Sequence, residues 1–560
     1  MEVLSVNGLS VAINNRYVID DLSFTIRPGE TFALVGESGS GKSMTALALM
    51  GLLPQGAQVT AGQIMLCGQD LTVLPPRDLI PLRGARIGMI FQEPMTSLNP
   101  VLTIGRQMTE AIEVHLGLGR AAARKLAADM LGRVDLSDPM ARLGQYPHEL
   151  SGGMRQRVMI GMTMVLKPAL LIADEPTTAL DVTVQAQILN LMRALVREMG
   201  TSLLLITHDM GVVAEIADRV AVMQHGSIVE SDAVSPLFTQ PAQPYTRALL
   251  AAVPRLDAPL RSDAPTSRGS PVLELRGISR SFGRPGFLRR GLAHAALTDV
   301  SVDLHRSETL ALVGESGSGK STLGRIATRL DLDHAGQVFI DRQDVTRLRG
   351  RALRLQRAKV QIVFQDPFAS LDPRFTARAT LSEPLALHRG LSGAAKRAEA
   401  AQLMERVGLP EAMLDRLPHE LSGGQRQRIA IARALAANPQ VIVADEPTSA
   451  IDVSVQARII ELLIDIQKDT GLALLFVTHD LGLVRLIAHR VAVLRGGRIL
   501  ELGSAAQVLD TPQHPYTQSL LAAAPIPDPA WRDRPRVSAS LSGGSKEELH
   551  GVSRGHWVAG

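Results

Sequence analysis

The octapeptide GESGSGKS stands at residues 36–43 and recurs, letter for letter, at residues 314–321. Each copy follows a short apolar run, TFALV at 31–35 and TLALV at 309–313, and precedes a segment that favours a helix. Closely spaced glycines let the backbone curl so that its N–H groups point at phosphate oxygens at the start of a helix. Both copies therefore predict a strand, a phosphate-binding loop and a helix.

The lysine and serine that end each octapeptide have separate expected roles. Lys42 and Lys320 should reach the β- and γ-phosphates of a nucleotide, and the hydroxyls of Ser43 and Ser321 should bind Mg²⁺. A chance glycine-rich turn would not be expected twice in the same context. The predicted phosphate-binding residues are Gly36, Glu37, Ser38, Gly39, Ser40, Gly41, Lys42 and Ser43, then Gly314, Glu315, Ser316, Gly317, Ser318, Gly319, Lys320 and Ser321.

An acidic pair ends a later apolar run in each half. Asp174 and Asp445 are predicted to hold Mg²⁺ through water, and the adjacent Glu175 and Glu446 to polarise an attacking water as general bases. Taken alone, such a pair could instead cap the helix that follows. Its position downstream of a phosphate loop in both halves favours the catalytic interpretation.

A histidine ends a further apolar run in each half. His208 and His479 are predicted to contact the γ-phosphate, although a lone histidine is more often structural. Both halves keep the lysine, the glutamate and the histidine. We therefore expect two hydrolytic sites.

The chain is a repeat. The octapeptide and five further motifs (FQEP or FQDP, LSGG, ADEPT, THD and PYT) recur in the same order. Such a repeat indicates two copies of one domain of about 250 residues. Apolar runs that alternate with helical segments predict an α/β fold with a mostly parallel sheet. We predict domains at 1–254 and 272–525, a linker at 255–271, and a disordered tail at 526–560.

Composition excludes several classes of protein. The 560 residues have a formal net charge of +4 with scattered lysines and arginines, which predicts no nucleic-acid partner. The single cysteine, Cys67, cannot build an iron–sulfur cluster or a thiolate zinc site and fits a reducing cytoplasm. The first residues show no export signal, and no apolar run approaches the roughly 18–20 residues that cross a bilayer.

The order of phosphate loop, glutamine motif, LSGGQ, ADEP and THD resembles the ATP-binding cassette (ABC) family over nearly all of residues 1–525. The resemblance implies two P-loop NTPase domains that bind ATP and Mg²⁺. Each would combine a mostly parallel sheet flanked by helices with an antiparallel β part and a helical signature subdomain. In this family two cassettes pack head to tail, so that each nucleotide lies between one phosphate loop and the opposite LSGG signature.

The resemblance also implies roles for further residues. The signature residues would contact the γ-phosphate, Gln92 and Gln365 would couple the nucleotide to membrane subunits, and Asp181 and Asp452 would lie where the halves join. Phe282 would stack on adenine, whereas the matching position in the first half is Ile13, with Tyr17 nearby. The implied signature residues are Ser151, Gly152, Gly153, Ser422, Gly423 and Gly424, and the implied metal-binding residues are Ser43, Gln92, Asp174, Ser321, Gln365 and Asp445.

The segments FQEPMTSLNP, QPYTRALLAAVP and HPYTQSLLAAAP are similar to the ATPases of peptide and nickel importers, here fused in one chain. The resemblance implies an importer ATPase for peptides or related small solutes. It would bind two integral-membrane permease subunits at the cytoplasmic face of the cell inner membrane, with a solute-binding protein acting indirectly. An exporter ATPase remains an alternative. So does a soluble twin-cassette protein of translation or DNA repair, although the short, weakly charged linker and the lack of zinc cysteines disfavour it.

Overall fold

The computed structural model describes residues 2–92, 97–177, 180–261, 269–283, 294–366, 370–448, 451–532 and 549–559. The repeat is visible as two halves, each with one antiparallel sheet and one mainly parallel sheet. Among these residues, no helix is long and apolar enough to cross a membrane. The α/β fold class predicted from the sequence is confirmed.

The first half begins with the antiparallel sheet and continues into the parallel one. Its strands are β1 Leu4–Ile13, β2 Arg16–Ile26, β3 Thr31–Val35, β4 Ala57–Leu66, β5 Gln69–Asp70, β6 Ile87–Ile90, β7 Leu170–Asp174, β8 Ser202–Thr207, β9 Arg219–Gln224 and β10 Ser227–Ala233. Its helices are α1 Lys42–Met50, α2 Pro76–Leu79, α3 Ile104–Leu116, α4 Arg120–Arg133, α5 Pro139–Arg142, α6 Gly152–Met164, α7 Val182–Met199, α8 Met210–Ile216, α9 Val234–Thr239 and α10 Pro244–Ala251, with a 3₁₀ turn at Pro147–Glu149.

The second half repeats this order. Its strands are β11 Leu273–Phe282, β12 His294–Leu304, β13 Thr309–Val313, β14 Ala335–Ile340, β15 Gln343–Asp344, β16 Val360–Val363, β17 Val441–Asp445, β18 Ala473–Val477, β19 Arg490–Arg495, β20 Arg498–Ser504, β21 Leu549–Ser553 and β22 His556–Ala559. Its helices are α11 Lys320–Ala327, α12 Gly350–Lys359, α13 Ala377–Arg389, α14 Gly393–Arg406, α15 Gly423–Leu435, α16 Val453–Thr470, α17 Leu481–Ile487, α18 Ala505–Leu509 and α19 Pro515–Ala523, with 3₁₀ turns at Glu411–Asp415, Pro418–Glu420 and Pro529–Trp531.

The main sheet of each half is built from strands that are buried on both faces. In the first half the strand order is β10-β9-β3-β8-β7-β6, and only β10 runs antiparallel to its neighbour. All five residues of β3 and of β7 are buried, as continuous apolar runs in parallel sheets require. The phosphate loop and the acidic pair follow the carboxyl ends of β3 and β7, so the sheet brings them to one edge.

A helical subdomain carries the LSGG signature in each half. In the first half, α3, α4 and α6 pack around a core that includes Met108, Leu131 and Ile160, all of which are fully buried or nearly so. A matching core lies beneath α13, α14 and α15 in the second half. The antiparallel sheets, β2-β1-β4-β5 and β12-β11-β14-β15, complete the architecture that the family resemblance implied.

The expectation of a disordered tail is wrong for residues 526–532, where Pro529–Trp531 form a 3₁₀ turn and Arg532 donates to Ile216 and Asp218, and for residues 549–559. Strands β21 and β22 form a hairpin there, and β22 extends the second main sheet by pairing with β20 at Glu501 and Leu502. The His556 ring nitrogen Nε2 lies 2.8 Å from the Glu501 carboxylate, and both side chains are buried. An open sheet edge accepts such a strand, which tail composition alone could not indicate. Residues 533–548 of the predicted tail lie outside the described ranges, as do 262–268 of the predicted linker and residues 284–293.

Candidate active sites

The phosphate loop of each half is closed by its own lysine. Lys42 Nζ donates hydrogen bonds to the carbonyl oxygens of Gly36 at 2.7 Å and Glu37 at 2.8 Å. Lys320 Nζ makes the same bonds to Gly314 and Glu315 at the same distances. The ammonium group is therefore held at the mouth of the loop, where it can meet phosphate oxygens.

The first glycine of each loop is required by a close backbone approach. A Cβ on Gly36 would lie 2.2 Å from the Met223 carbonyl oxygen, and one on Gly314 would lie 2.1 Å from the Leu494 carbonyl oxygen. The φ angles of the two glycines, 155° and 147°, also lie in a region that L-residues rarely adopt. Any side chain here would push the loop off the neighbouring strand.

The serine after each lysine meets the aspartate that ends the neighbouring strand. Ser43 Oγ donates to Asp174 Oδ1 at 3.2 Å, and Ser321 Oγ donates to Asp445 Oδ1 at 2.9 Å. Burial raises the pKa of Asp174 to about 6 and also raises the pKa of Asp445. A hydroxyl beside a buried carboxylate is a hard oxygen donor set, and a bound divalent cation would offset the cost of burying the charge. These residues fit Mg²⁺.

The glutamate after each aspartate is held at both carboxylate oxygens. Gln92 Nε2 donates to Glu175 Oε2 at 2.7 Å, while His208 Nδ1 lies 3.0 Å from Glu175 Oε1. In the second half, Gln365 Nε2 donates to Glu446 Oε2 at 2.7 Å, and His479 Nδ1 lies 3.4 Å from Glu446 Oε1. The structure thus brings the predicted glutamine, glutamate and histidine together in both halves.

Both glutamates occupy an unusual backbone conformation. The φ angle is 46° at Glu175 and 45° at Glu446, in the left-handed region that costs free energy for residues other than glycine. The N–H of Glu175 donates to the Ile206 carbonyl at 2.8 Å, and that of Glu446 donates to Val477 at 2.9 Å. These bonds to the adjacent strand fix the strained turn and hold the carboxylate beyond the sheet edge.

The pKa of Glu446 in the second half suits a role as a general base. Burial alone would raise the pKa of Glu446, but the hydrogen bond and charge of His479, together with the charge of Lys320, outweigh it and hold that pKa below its usual range. Burial would lower the pKa of both histidines, but the hydrogen bonds and charges of Glu175 and Glu446 raise it overall. Glu446 is therefore ionised at neutral pH and able to accept a proton.

The signature serines cap the helices that they precede. Ser151 Oγ accepts from the Met154 N–H at 3.3 Å, and Ser422 Oγ accepts from the Gln425 N–H at 3.3 Å. In the second half the cap is reciprocal, because the Ser422 N–H also donates to Gln425 Oε1 at 2.9 Å. The methionine at the matching position, Met154, has no side-chain oxygen that could accept such a bond. The second glycine after each serine is tightly packed, since a Cβ on Gly153 would lie 2.8 Å from Val184 Cγ1 and one on Gly424 would lie 2.5 Å from Val455 Cγ1. Contact between these serines and a phosphate stays a prediction.

Hydrogen bonds cross between the halves at the phosphate loops. Thr183 Oγ1, at the start of α7, donates to Glu315 Oε1 at 2.9 Å, and Ser454 Oγ, at the start of α16, donates to Glu37 Oε1. The Ser38 N–H also donates to Asp452 Oδ1 at 2.5 Å. Each phosphate loop therefore touches the helix that follows the acidic pair of the other half.

Asp181 and Asp452, which were predicted to lie where the halves join, make different contacts. Asp452 reaches the opposite loop, whereas Asp181 Oδ1 caps its own helix by accepting from the Val184 N–H at 3.0 Å. Burial lowers the pKa of Lys42 and Lys320, and carboxylates that include the opposite half's Asp452 and Asp181 partly oppose it. Charges of one half thus act on the lysine of the other.

The residues at the two candidate adenine positions differ in size and exposure. Phe282 ends β11 and is 45% exposed, with the Arg280 guanidinium 4.5 Å from its ring centroid. Ile13 ends β1, and Tyr17 lies on β2 with 59% of its surface exposed. Stacking of adenine on these side chains stays a prediction.

Sequence reasoning missed the cross-half roles of Glu37, Glu315, Thr183 and Ser454. Glu37 and Glu315 were expected only to line a phosphate loop, and nothing in a local pattern indicates their distant partners. A usable signal existed, because VTVQ after Asp181 and VSVQ after Asp452 repeat a hydroxyl at the same place.

The geometry is that of a protein with two nucleotide-binding cassettes in one chain. The family model for ABC transporters matches residues 19–178 and 297–449. A model for the oligopeptide/dipeptide transporter C-terminal region matches 229–279 and 500–549. The chain belongs to the ABC transporter family and is one of its ATP-binding, ATP-hydrolysing members.

Two curated relatives match over the whole chain. The glutathione import ATP-binding protein of Shigella boydii is 47% identical over 606 residues, covering 100% of this chain and 96% of the relative. The protein of the same name from Salmonella typhimurium is 48% identical over 603 residues, covering 100% and 97%. Among solved structures, a dimeric bacterial ABC transporter cassette is 32% identical, covers 42% of this chain and 98% of its own, and has a TM-score of 0.38.

Proposed function

We propose that this chain hydrolyses ATP to drive the import of glutathione or other short peptides and related small solutes. The import proteins to which it is similar, together with the two peptide-transporter C-terminal matches, support import over export and over a role in translation or DNA repair. The partners would be two separate membrane permeases, with a solute-binding protein outside the membrane. The chain would lie at the cytoplasmic face of the cell inner membrane.

The observation that carries the mechanism is the reciprocal contact of Glu37 with Ser454 and of Glu315 with Thr183. Such contacts support a head-to-tail arrangement with two composite sites. Each site would take its loop, acidic pair and histidine from one half and its signature from the other. Backbone and hydroxyl donors at the start of α6 and α15 would then neutralise charge on the γ-phosphate.

Within one site, this chain's residues would divide the chemistry of hydrolysis. Lys42 and the loop amides would bind the phosphates, and Ser43 with Asp174 and Gln92 would hold Mg²⁺, which supplies positive charge to the phosphate oxygens. Glu175 would accept the proton of the attacking water. The bonds from Gln92 and His208 keep its carboxylate oriented before the reaction begins.

Reconstitution tests the import proposal. The chain, its cognate permeases and the solute-binding protein would be placed in proteoliposomes, and ATP hydrolysis and uptake would be measured with glutathione, dipeptides, nickel chelates and opines. Stimulation by glutathione or short peptides, lost in a Lys42→Ala and Lys320→Ala double variant, is the expected result. ATP-dependent efflux without uptake would contradict import.

A further inference from the structure

A tyrosine from the repeated PYT motif touches each phosphate loop from behind. The Tyr245 hydroxyl, at the start of α10, accepts a hydrogen bond from the Glu37 N–H at 3.3 Å. The Tyr516 hydroxyl, at the start of α19, accepts one from the Glu315 N–H at 3.3 Å. Each loop is thus fixed by a side chain more than 200 residues away in the sequence.

These hydroxyls are neutral groups in partly or fully buried positions. Burial raises the pKa of Tyr245 and of Tyr516, so both stay protonated at any physiological pH. Tyr516 is only 3% exposed, and the Arg495 guanidinium lies 4.8 Å from its ring centroid. The two tyrosines therefore contact the loops as neutral hydrogen-bond partners, so a movement of a loop would move its tyrosine.

The residues that follow each tyrosine lead to a proline, Pro254 or Pro525, that contacts the other half. A Cβ placed on Gly482 would lie 2.8 Å from both the Cβ and the carbonyl oxygen of Pro254. A Cβ placed on Gly211 would lie 2.9 Å from the Cβ of Pro525. Pro254 of the first half therefore packs on the start of α17 in the second half, and Pro525 of the second half packs on the start of α8 in the first.

The site histidines lie two residues before those helices. The Gly211 N–H donates to Asp209 Oδ1 at 2.8 Å, and the Gly482 N–H donates to Asp480 Oδ1 at 2.8 Å. Each aspartate follows His208 or His479 in the sequence. The prolines, aspartates and histidines line a cavity of about 170 Å³ between the halves, and its lining includes His208, Asp209, Pro254, His479, Asp480 and Pro525.

In the second half, helix α19 between Tyr516 and Pro525 also packs across the halves. Tyr516, Leu520 and Ala523 of α19 belong to one apolar cluster with Val182 and Ala186 of α7. Helix α7 is the element whose Thr183 binds Glu315. The segment is thus anchored on both sides of the interface along its length.

We propose that residues 244–254 and 515–525 are two coupling segments. Each joins the phosphate loop of one half to the histidine turn of the other half, which is residues 208–211 in the first half and 479–482 in the second. Each segment therefore connects the two ATP sites. The proposal rests on the proposed function only in treating both loops as ATP sites. Tyr245, Pro254, Tyr516 and Pro525 are positioning residues in this scheme, since they act through the loop and the histidine turn.

A physical link between two sites requires that each site influence the other equally. If ATP binding shifts one loop, the Tyr–Glu hydrogen bond moves the segment and hence the glycine that lies three residues after the opposite histidine. If this movement favours the ATP-bound arrangement of the second site, the second ATP binds more tightly, by a factor of about 5–150 in typical coupled proteins, and linkage requires the same factor in the other direction. Because spatial contiguity alone does not demonstrate coupling, the link must be measured as non-additivity between its two ends.

The test is the ATP dependence of hydrolysis by the purified full-length chain in the presence of Mg²⁺. Wild type, Tyr245→Phe, Pro254→Ala and the double variant would be compared, with Tyr146→Phe as the matched control because Tyr146 lies outside both loops and both segments. We expect a Hill coefficient above 1 in the wild type and in the control. Each single change should lower it towards 1, and the double change should lower it no further.

A wild-type Hill coefficient of 1, or a Tyr245→Phe chain that changes KM while keeping cooperativity, would overturn the proposal. Gly482→Ala attacks the same contact from the other half and must reproduce the loss if the contact carries the coupling. Far-ultraviolet circular dichroism would show that each variant is folded. Transport separates this proposal from the previous one. A wild-type chain that hydrolyses ATP without cooperativity but still takes up glutathione refutes only the coupling segments, and cooperative hydrolysis without uptake refutes only import.

Discussion

Replacing either of the proposed catalytic glutamates by glutamine should reduce the rate of ATP hydrolysis equally. Glutamine keeps the size of Glu175 or Glu446 and still accepts a hydrogen bond, but it cannot take a proton from water. The surroundings of the two groups match, with glutamine donors at 2.7 Å in both halves and histidines at 3.0 and 3.4 Å. The two single variants should therefore behave alike.

The size of the effect follows from the role of a general base. Such a group contributes about 10²–10⁴-fold to the rate, which corresponds to roughly 3–5 kcal/mol of transition-state stabilisation. If the sites act independently, each single variant keeps about half of the wild-type kcat, and if they are coupled it keeps less. The double variant should fall to about 1% or below in either case.

Steady-state ATP hydrolysis by the purified chain measures these rates, and equilibrium binding of a fluorescent ATP analogue checks that both variants still bind nucleotide. Equal losses in Glu175→Gln and Glu446→Gln are the expected result. If Glu446→Gln left turnover unchanged while Glu175→Gln abolished it, the prediction of two hydrolytic sites would be wrong.

Three further changes test single features of the structure. Gly36→Ala should abolish ATP binding in the first half, because its Cβ would lie 2.2 Å from a carbonyl oxygen. Gly39→Ala adds only the strain of a φ angle of 79°, with nothing within 4 Å of the new Cβ, and should lose less in a titration with the same analogue. Asp174→Asn should stabilise the chain without Mg-ATP at pH 8 by at most about 3 kcal/mol, because the pKa of Asp174 is raised from 3.8 to about 6 and the cost of ionising it in the folded state is complete above that pH. At pH 4 the gain should fall below about 1 kcal/mol, as chemical denaturation at the two pH values would show, and an equal gain at both would contradict the assignment. Met154→Gln should add the reciprocal cap that Gln425 makes in the second half and raise stability by about 0.5–1 kcal/mol, and an unchanged or lower denaturation midpoint would refute this account of the asymmetry.

Much of each site could be predicted because its residues occupy fixed places on local elements. The loop must follow a buried strand, and Asp174 and His208 must end neighbouring parallel strands, so their meeting at one sheet edge is a consequence of topology. The bond between Ser43 and Asp174 follows from the same geometry. Fold class and family were likewise readable from the repeated motifs.

The remaining features depend on contacts that no local pattern encodes. Tyr245 and Pro254 lie in an ordinary amphipathic helix and turn, yet they touch Glu37 in one half and Gly482 in the other. The pairing of residues 556–559 with the edge of the second sheet also depends on a partner about 55 residues away, His556 on Glu501. Apolar periodicity identifies such elements, but it does not identify what they pack against.

The central claim is that each ATP is enclosed by both halves of the chain. The direct measurement is an experimental structure of the Glu175→Gln and Glu446→Gln double variant loaded with Mg-ATP. We predict one nucleotide on Lys42 with its γ-phosphate within hydrogen-bonding distance of Ser422, and another on Lys320 with its γ-phosphate beside Ser151. Two nucleotides each surrounded by residues of one half, with both signature serines far from any phosphate, would contradict the account.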